Sequence, residues 1–142
     1  MKTKRRYSKS DNAVYYTVKY SKVLHRDNGP AIIQEDFSMW IRYGNLHRVD
    51  GPAVIYKNGD EEWWFYGKRH REDGPSSMCS TGEYWYLNNL RHRSDGPAVE
   101  LKNGIKLWYL NGHLYEDKEA WFEALTEDEK AKAIYSKCFI GG

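Results

Sequence analysis

One hexapeptide, His-Arg-x-Asp-Gly-Pro, recurs four times and accounts for all four prolines: HRDNGP (25–30), HRVDGP (47–52), HREDGP (70–75) and HRSDGP (92–97). In the first copy Asn28 stands in for the acid, after Asp27. The histidines His25, His47, His70 and His92 are spaced by 22, 23 and 22 residues. Self-similarity at that period implies one supersecondary unit copied along the chain, not a domain with a single irreplaceable active site.

The similarity extends beyond the hexapeptide. A Trp lies seven residues before the second, third and fourth His: Trp40, Trp63 and Trp85. A fifth, decayed unit aligns WYLNGHLY (108–115) with WYLNNLRH (85–92), putting Trp108 on the Trp position and Tyr115 on the His position. After each Pro comes a short run, AII (31–33), AVIY (53–56) or AVEL (98–101), with SSMCS (76–80) as a small, polar version expected to be edge-like or partly exposed. A turn signal follows, Asn58-Gly59 or Asn103-Gly104, with Thr81-Gly82 and Asp36-Phe37 as weaker equivalents. The next run is aromatic: EEWWFY (61–66), EYWYL (83–87) or IKLWYL (105–110). Asn-Gly between strand-like runs favours the positive φ angles of a tight hairpin turn, and aromatic residues suit a half-buried pleated surface.

Each unit therefore reads as two antiparallel strands, and the hexapeptide as the connection between hairpins. Gly29, Gly51, Gly74 and Gly96 tolerate φ values closed to other residues, and Pro30, Pro52, Pro75 and Pro97 fix φ and donate nothing to a ladder. Arg26, Arg48, Arg71 and Arg93, with Asp27, Asp50, Asp73 and Asp95, can bridge backbone groups across the bend. The predicted fold is all-β: an antiparallel meander of about five stacked hairpins over residues 13–115, with about nine or ten strands and a stripe of stacked aromatics as its core.

The ends differ from the array. AVYYTVKY (13–20) reads as a strand leading into the first hexapeptide, in a unit that has lost its Trp. Residues 1–12 read as a basic, disordered arm; no apolar run follows MKTKRR, so it is not a secretory signal. After Tyr115 the period changes to 3.6. Asp117 is placed to cap a helix over 118–125 that buries Trp121 and Leu125, and Thr126 with Glu129 forms a capping box. Ala131, Ile134, Tyr135 and Cys138 then make one apolar stripe. Terminal repeats expose an apolar face and unpaired backbone, so residues 116–142 are expected to fold over the last hairpin as a helical cap. That segment holds seven acids against four lysines while the N-terminus is basic, which leaves a homo-oligomer open.

A net charge of +2 does not compel nucleic-acid binding. Two cysteines, Cys79 and Cys138, have no paired spacing and indicate neither a disulfide framework nor a zinc site. No apolar run approaches about 18 residues, so no transmembrane segment is expected, and the reading is a soluble, cytoplasmic protein. His, Arg and Asp in one motif could act as base, anion holder and orienting acid. Four near-identical copies count against that, because catalysis needs one cleft with differentiated surroundings. No catalytic residue, metal site or cofactor is assigned, and the motif is read as structural. The candidate binding surface joins Trp40, Trp63, Trp64, Trp85 and Trp108 with Arg42, Arg69, Arg91 and the motif arginines, a composition that can stack bases or hold phosphates. In the competing reading the Trp are core and the Arg lie on solvated turns. Because neighbouring strand residues point to opposite faces, one of Trp63 and Trp64 must leave the main core face.

These units, with a turn at Asn-Gly or Tyr-Gly between aromatic strand and His, resemble the MORN repeat. The likeness covers 14–115 and is nearest to MORN-like arrays bearing His-Arg-x-Asp-Gly-Pro in large tailed phages and giant viruses. The tail LYEDKEAWFEAL looks like the short helical end of such arrays in phage proteins. The resemblance implies stacked β-hairpins and a binding role: partner proteins, dimerisation or lipid head groups. MORN units carry Gly-x-Gly after the His, whereas here Arg follows, so lipid and dimerisation properties do not transfer. The expectation is a non-enzymatic viral adaptor that engages, and in one form inhibits, a host protein in the host cytoplasm. The alternative is a nucleotide or single-stranded nucleic-acid binding protein using the same surface.

Overall fold

The computed structural model describes residues 2–136. The protein is mostly β, an antiparallel meander followed by two short C-terminal helices. The chain divides into two compact units, Met1–His70 and Arg71–Gly142, a boundary inside the third hexapeptide.

The first unit contains β1 (Thr3–Ser8), β2 (Ala13–Val18), β3 (Ile32–Ile33), β4 (Phe37–Met39), β5 (Ile41–Arg42), β6 (Asn45–Leu46), β7 (Val54–Tyr56), β8 (Glu61–Glu62), β9 (Trp64–Phe65) and β10 (Lys68–Arg69). Six of these follow one another as a meander in the order β1-β2-β3-β4-β7-β8, while β5–β6 and β9–β10 form separate two-residue ribbons. The second unit contains β11 (Ser77–Cys79), β12 (Gly82–Tyr84), β13 (Tyr86–Leu87), β14 (Leu90–Arg91), β15 (Val99–Leu101), β16 (Lys106–Leu110) and β17 (His113–Tyr115), then α1 (Lys118–Glu123) and α2 (Glu127–Tyr135). Here β11-β12-β15-β16-β17 run as the meander, with β13–β14 as the ribbon.

The three middle repeats thus have two hairpins where one was expected, because the aromatic run breaks at Trp40, Trp63 and Trp85, whereas β16 runs unbroken through Trp108. Trp40 and Trp85 leave the ladder and donate their N–H to the carbonyls of Ala53 and Ala98, at 2.7 and 2.8 Å. Tyr16 makes the same bond to Ala31 at 2.7 Å from within the unbroken β2, so it occupies the Trp position of the first unit, expected to have lost its Trp. The two hairpins also turn differently. At the expected Asn-Gly turns only Gly59 and Gly104 have positive φ, 91° and 92°, and Asn58 and Asn103 accept from the backbone two residues on. That is a type I turn closed by a left-handed Gly, not a two-residue primed turn. The primed turns lie in the ribbons, at Tyr43-Gly44, Tyr66-Gly67 and Asn88-Asn89, and between β16 and β17, at Asn111-Gly112; at each, both residues have positive φ.

The core is not a continuous stripe of aromatics. Its most regular members are the residues after each Pro, Ala31, Ala53, Ser76 and Ala98, all 0% exposed. A small side chain is required because the next strand's backbone approaches this closely. Ser76 fits the same place with its hydroxyl bonded to the Tyr84 carbonyl, so the expected weak strand begins from a buried anchor, and β11 itself is half-buried.

Both ends carry corrections. Residues 3–8, expected as part of a disordered arm, form β1, paired along its whole length with β2. Its Lys4, Arg5 and Arg6 are exposed, and charge of this kind suits an edge strand that must not recruit another. At the other end Asp117 caps α1, and Thr126 with Glu129 forms the capping box of α2, as expected. Trp121 and Leu125 are buried with Trp108. The predicted apolar stripe of α2 is not: Ala131, Ile134 and Tyr135 are exposed and Ala133 is the buried position, while Cys138 lies outside the described residues.

Candidate functional site

The hexapeptides share a common set of contacts. The His amide donates to the carbonyl at the aromatic position of its own unit: His25 to Tyr16, His47 to Trp40, His70 to Trp63 and His92 to Trp85. Its ring reaches forward. Nδ1 accepts from the N–H that opens the next primed turn, Tyr43 to His25 (3.1 Å), Tyr66 to His47 (3.1 Å) and Asn111 to His92 (3.0 Å). Those three donors have φ of 47°, 45° and 47°, which turns the amide away from the ladder and leaves it needing another acceptor. A neutral imidazole accepting at Nδ1 carries its proton on Nε2. Burial, and then the nearby Arg42 charge, hold the His47 pKa below its ordinary value. Burial does the same at His92, opposed in part by Glu129.

The Arg closes the bend. Nη1 of Arg26, Arg48, Arg71 and Arg93 donates to the carbonyl of Pro30, Pro52, Pro75 and Pro97, at 3.1, 3.2, 3.2 and 3.2 Å. Nε of the last three donates to Asp50, Asp73 and Asp95 at 3.1, 3.0 and 2.7 Å. This bond holds the Asp73 carboxyl below the usual carboxylate range. The guanidinium lies over an aromatic face, Arg26 on Tyr16, Arg48 on Trp40 and Arg93 on Trp85, with 3.9, 4.1 and 3.8 Å to the ring centres. Such stacking is worth about 0.5–2 kcal/mol. The arrangement also explains the Gly differently from the turn argument. A Cβ on Gly51 or Gly74 would stand 2.8 or 2.6 Å from the guanidinium carbon, so the Gly makes room for the Arg; of the motif glycines only Gly29 has positive φ, 133°.

The first copy departs from this pattern. With Asn28 in the acid's place, Arg26 keeps Pro30 and Tyr16 but has no carboxylate, and Asp27 instead lies 3.2 Å from His25 Nε2 and 3.3 Å from Arg42 Nη2.

The structure does not bring the candidate Trp residues together as one open platform. Trp40 and Trp85 each have a ring face covered by Arg, and Trp108 is buried 4.6 Å from Trp121. Trp121 therefore takes, at the fifth unit, the place that Arg holds at the others, and its Nε1 donates to the Arg93 carbonyl at 3.1 Å. Trp63 is half-buried at the break between β8 and β9. Trp64 donates to Glu62 at 2.8 Å beneath Arg69, and Arg91 bonds the hydroxyls of Tyr86 and Tyr109. Among the described residues no three His, Cys, Asp or Glu side chains assemble as a metal set, and no helix is long and apolar enough to cross a membrane.

What the sequence reading missed is a row of exposed rings on the first unit. Tyr20 is 91% exposed, Tyr43 53%, Tyr66 55% and Phe65 42%. Gly44 and Gly67 donate to the Leu24 and Leu46 carbonyls, so each turn rests on the chain just before it and successive tips are neighbours. Tyr43 lies 4.3 Å from the His25 ring and Tyr66 stacks 3.9 Å from His47. The available signal was Tyr-Gly at 43 and again at 66, where the second unit has Asn at 88 and 111.

No family model, no curated protein and no solved structure matches this chain.

Proposed function

We propose that this chain is a non-enzymatic, MORN-like binding protein of viral origin that engages a host protein in the cytoplasm through the tyrosine row of its first unit. One observation carries the reading: the motif His Nδ1 and Arg Nη1 atoms are bonded within the scaffold, while Tyr20, Tyr43, Phe65 and Tyr66 stand exposed. Tyrosine offers a rigid, large and amphipathic contact, the kind that dominates protein interfaces. The Trp and Arg of the originally expected surface are largely occupied with one another and serve as its foundation.

The test replaces Tyr43 and Tyr66 together by Asn, the residue at the equivalent positions 88 and 111, which accepts positive φ without strain. Tagged wild type and variant are used as bait in host lysate after nuclease treatment. A partner recovered with the wild type and lost with the double variant is the expected result. Equal recovery by both would overturn the assignment of the surface, and recovery only without nuclease would favour nucleic acid as the ligand.

A further inference from the structure

The first unit contains a cavity of about 630 Å3 between the first and second hexapeptides, floored by Trp40. Its lining carries three guanidinium groups, Arg26, Arg42 and Arg48, against two carboxylates, Asp27 and Asp50. Two departures from the repeat create that excess, and both fall in this cavity. Asn28 removes the carboxylate that Arg48, Arg71 and Arg93 each have. Arg42 stands where the other repeats have Phe65, Leu87 and Leu110. The equivalent cavity of the second unit has Leu87 at that place and is bordered by Lys132 and Tyr135 of α2 and by Ser136, its C-cap.

Two buried donors in this lining lack a hydrogen-bond partner: Arg42 Nε and His47 Nε2, the latter on a residue only 3% exposed. His47 Nδ1 is taken by Tyr66, so Nε2 carries the proton. In the first copy the corresponding atom of His25 also lacks a hydrogen bond but has the Asp27 carboxylate 3.2 Å away; at His47 the corresponding position is Val49, which offers no acceptor. Buried N–H groups without acceptors are rare and call for an explanation. Guanidinium and imidazole N–H groups converging in an electropositive recess match the oxygens of a phosphate, and the volume lies within the range of small-molecule pockets.

We propose that this cavity binds a phosphate-bearing small molecule up to the size of a mononucleotide, its phosphate held by Arg26, Arg42 and the His47 Nε2–H. The proposal is independent of the tyrosine row. Inorganic phosphate and adenosine monophosphate serve as probes, titrated at constant ionic strength into the full chain. Binding is followed by calorimetry and by the NMR signals of Arg side-chain Nε–H and His Nε2–H groups.

Saturable shifts at Arg42 and His47, with adenosine monophosphate the tighter probe, are expected. Arg42→Leu, which installs the repeat's own residue, should keep the melting temperature and weaken binding about tenfold or more. Asn28→Asp, which returns a carboxylate to Arg26, should weaken it in the same direction and guards against a folding defect in the first variant. Absence of saturable shifts with both probes, or unchanged affinity in both variants, would overturn the site. Equal affinity for the two probes would overturn the mononucleotide-sized ligand.

Discussion

The second hexapeptide, in the first unit, and the fourth, in the second, make the same internal contacts in different surroundings. At both, the His ring receives the next turn and the Arg joins Asp, Pro and an indole. Yet the Arg48 side chain is 23% exposed and Arg93 only 9%. Arg93 has a second acid, Glu100 at 2.7 Å, and the carbonyls of Arg93 and Asp95 accept from Trp121 and from Ser136 at 2.7 Å. The motif is a general clamp; what covers it is decided elsewhere in the chain. Both clamps line a cavity; at the fourth copy the chain's own second helix borders it, and at the second copy no helix among the described residues does.

The largest way to break this contrast is to remove the cover. Trp121→Ala deletes a fully buried indole together with its bond to Arg93, and should cost about 3–5 kcal/mol in chemical denaturation. A loss below about 1 kcal/mol would mean that the cap is dispensable. His47→Ala and His92→Ala come next, each expected to cost about 1–3 kcal/mol by leaving a turn N–H without its acceptor. Similar losses at the two positions would place the energy in the clamp; a much larger loss at His92 would place it in the coupling to the helices. Gly51→Ala should be close behind, at about 1–3 kcal/mol, because the new methyl displaces a guanidinium pinned on three sides.

Acidification sharpens the contrast without a mutation. His47 and His92 have folded pKa values below their ordinary 6.5, so between the two values the unfolded chain binds more protons. Their contribution is fully present above 6.5 and is lost as pH falls through the depressed folded values. The melting temperature should therefore drop on acidification below 6.5, and drop less in the His47→Ala, His92→Ala double variant. An equal drop would assign the acid sensitivity to other groups. The smallest effect belongs to Asp50→Asn: an exposed Arg–Asp pair is worth about 0–1 kcal/mol, and a thermal melt should scarcely register it.

Much of this was legible in the chain. The period and the turn residues pointed to an antiparallel meander, and Asp117, Thr126 and Glu129 marked the helix starts, since these are local signals. The break at the Trp position was not legible, because EEWWFY is as good a continuous strand as a broken one. Tyr16 was missed as the first unit's aromatic because it stands nine residues before His25 instead of seven. The stripe on α2 failed because periodicity selects a face but not the distance to the surface beneath, and here only Ala133 fits. The candidate Trp and Arg were grouped as one surface for an outside ligand; that Arg48 and Arg93 stack on Trp40 and Trp85 depends on three-dimensional closeness that spacing does not express.

The forward reach of each hexapeptide has a consequence for how the chain is made. His25 awaits the amide of Tyr43, and Arg26 donates its own amide to the Ile41 carbonyl. On a ribosome, a unit would emerge before the residues that lock it, and would be completed only by its successor. The fourth clamp is likewise completed by its successor, through the amide of Asn111, and the fifth unit, which carries no hexapeptide of its own, is closed by Trp121, so the helices act as the closing signal of a structure assembled in the direction of translation.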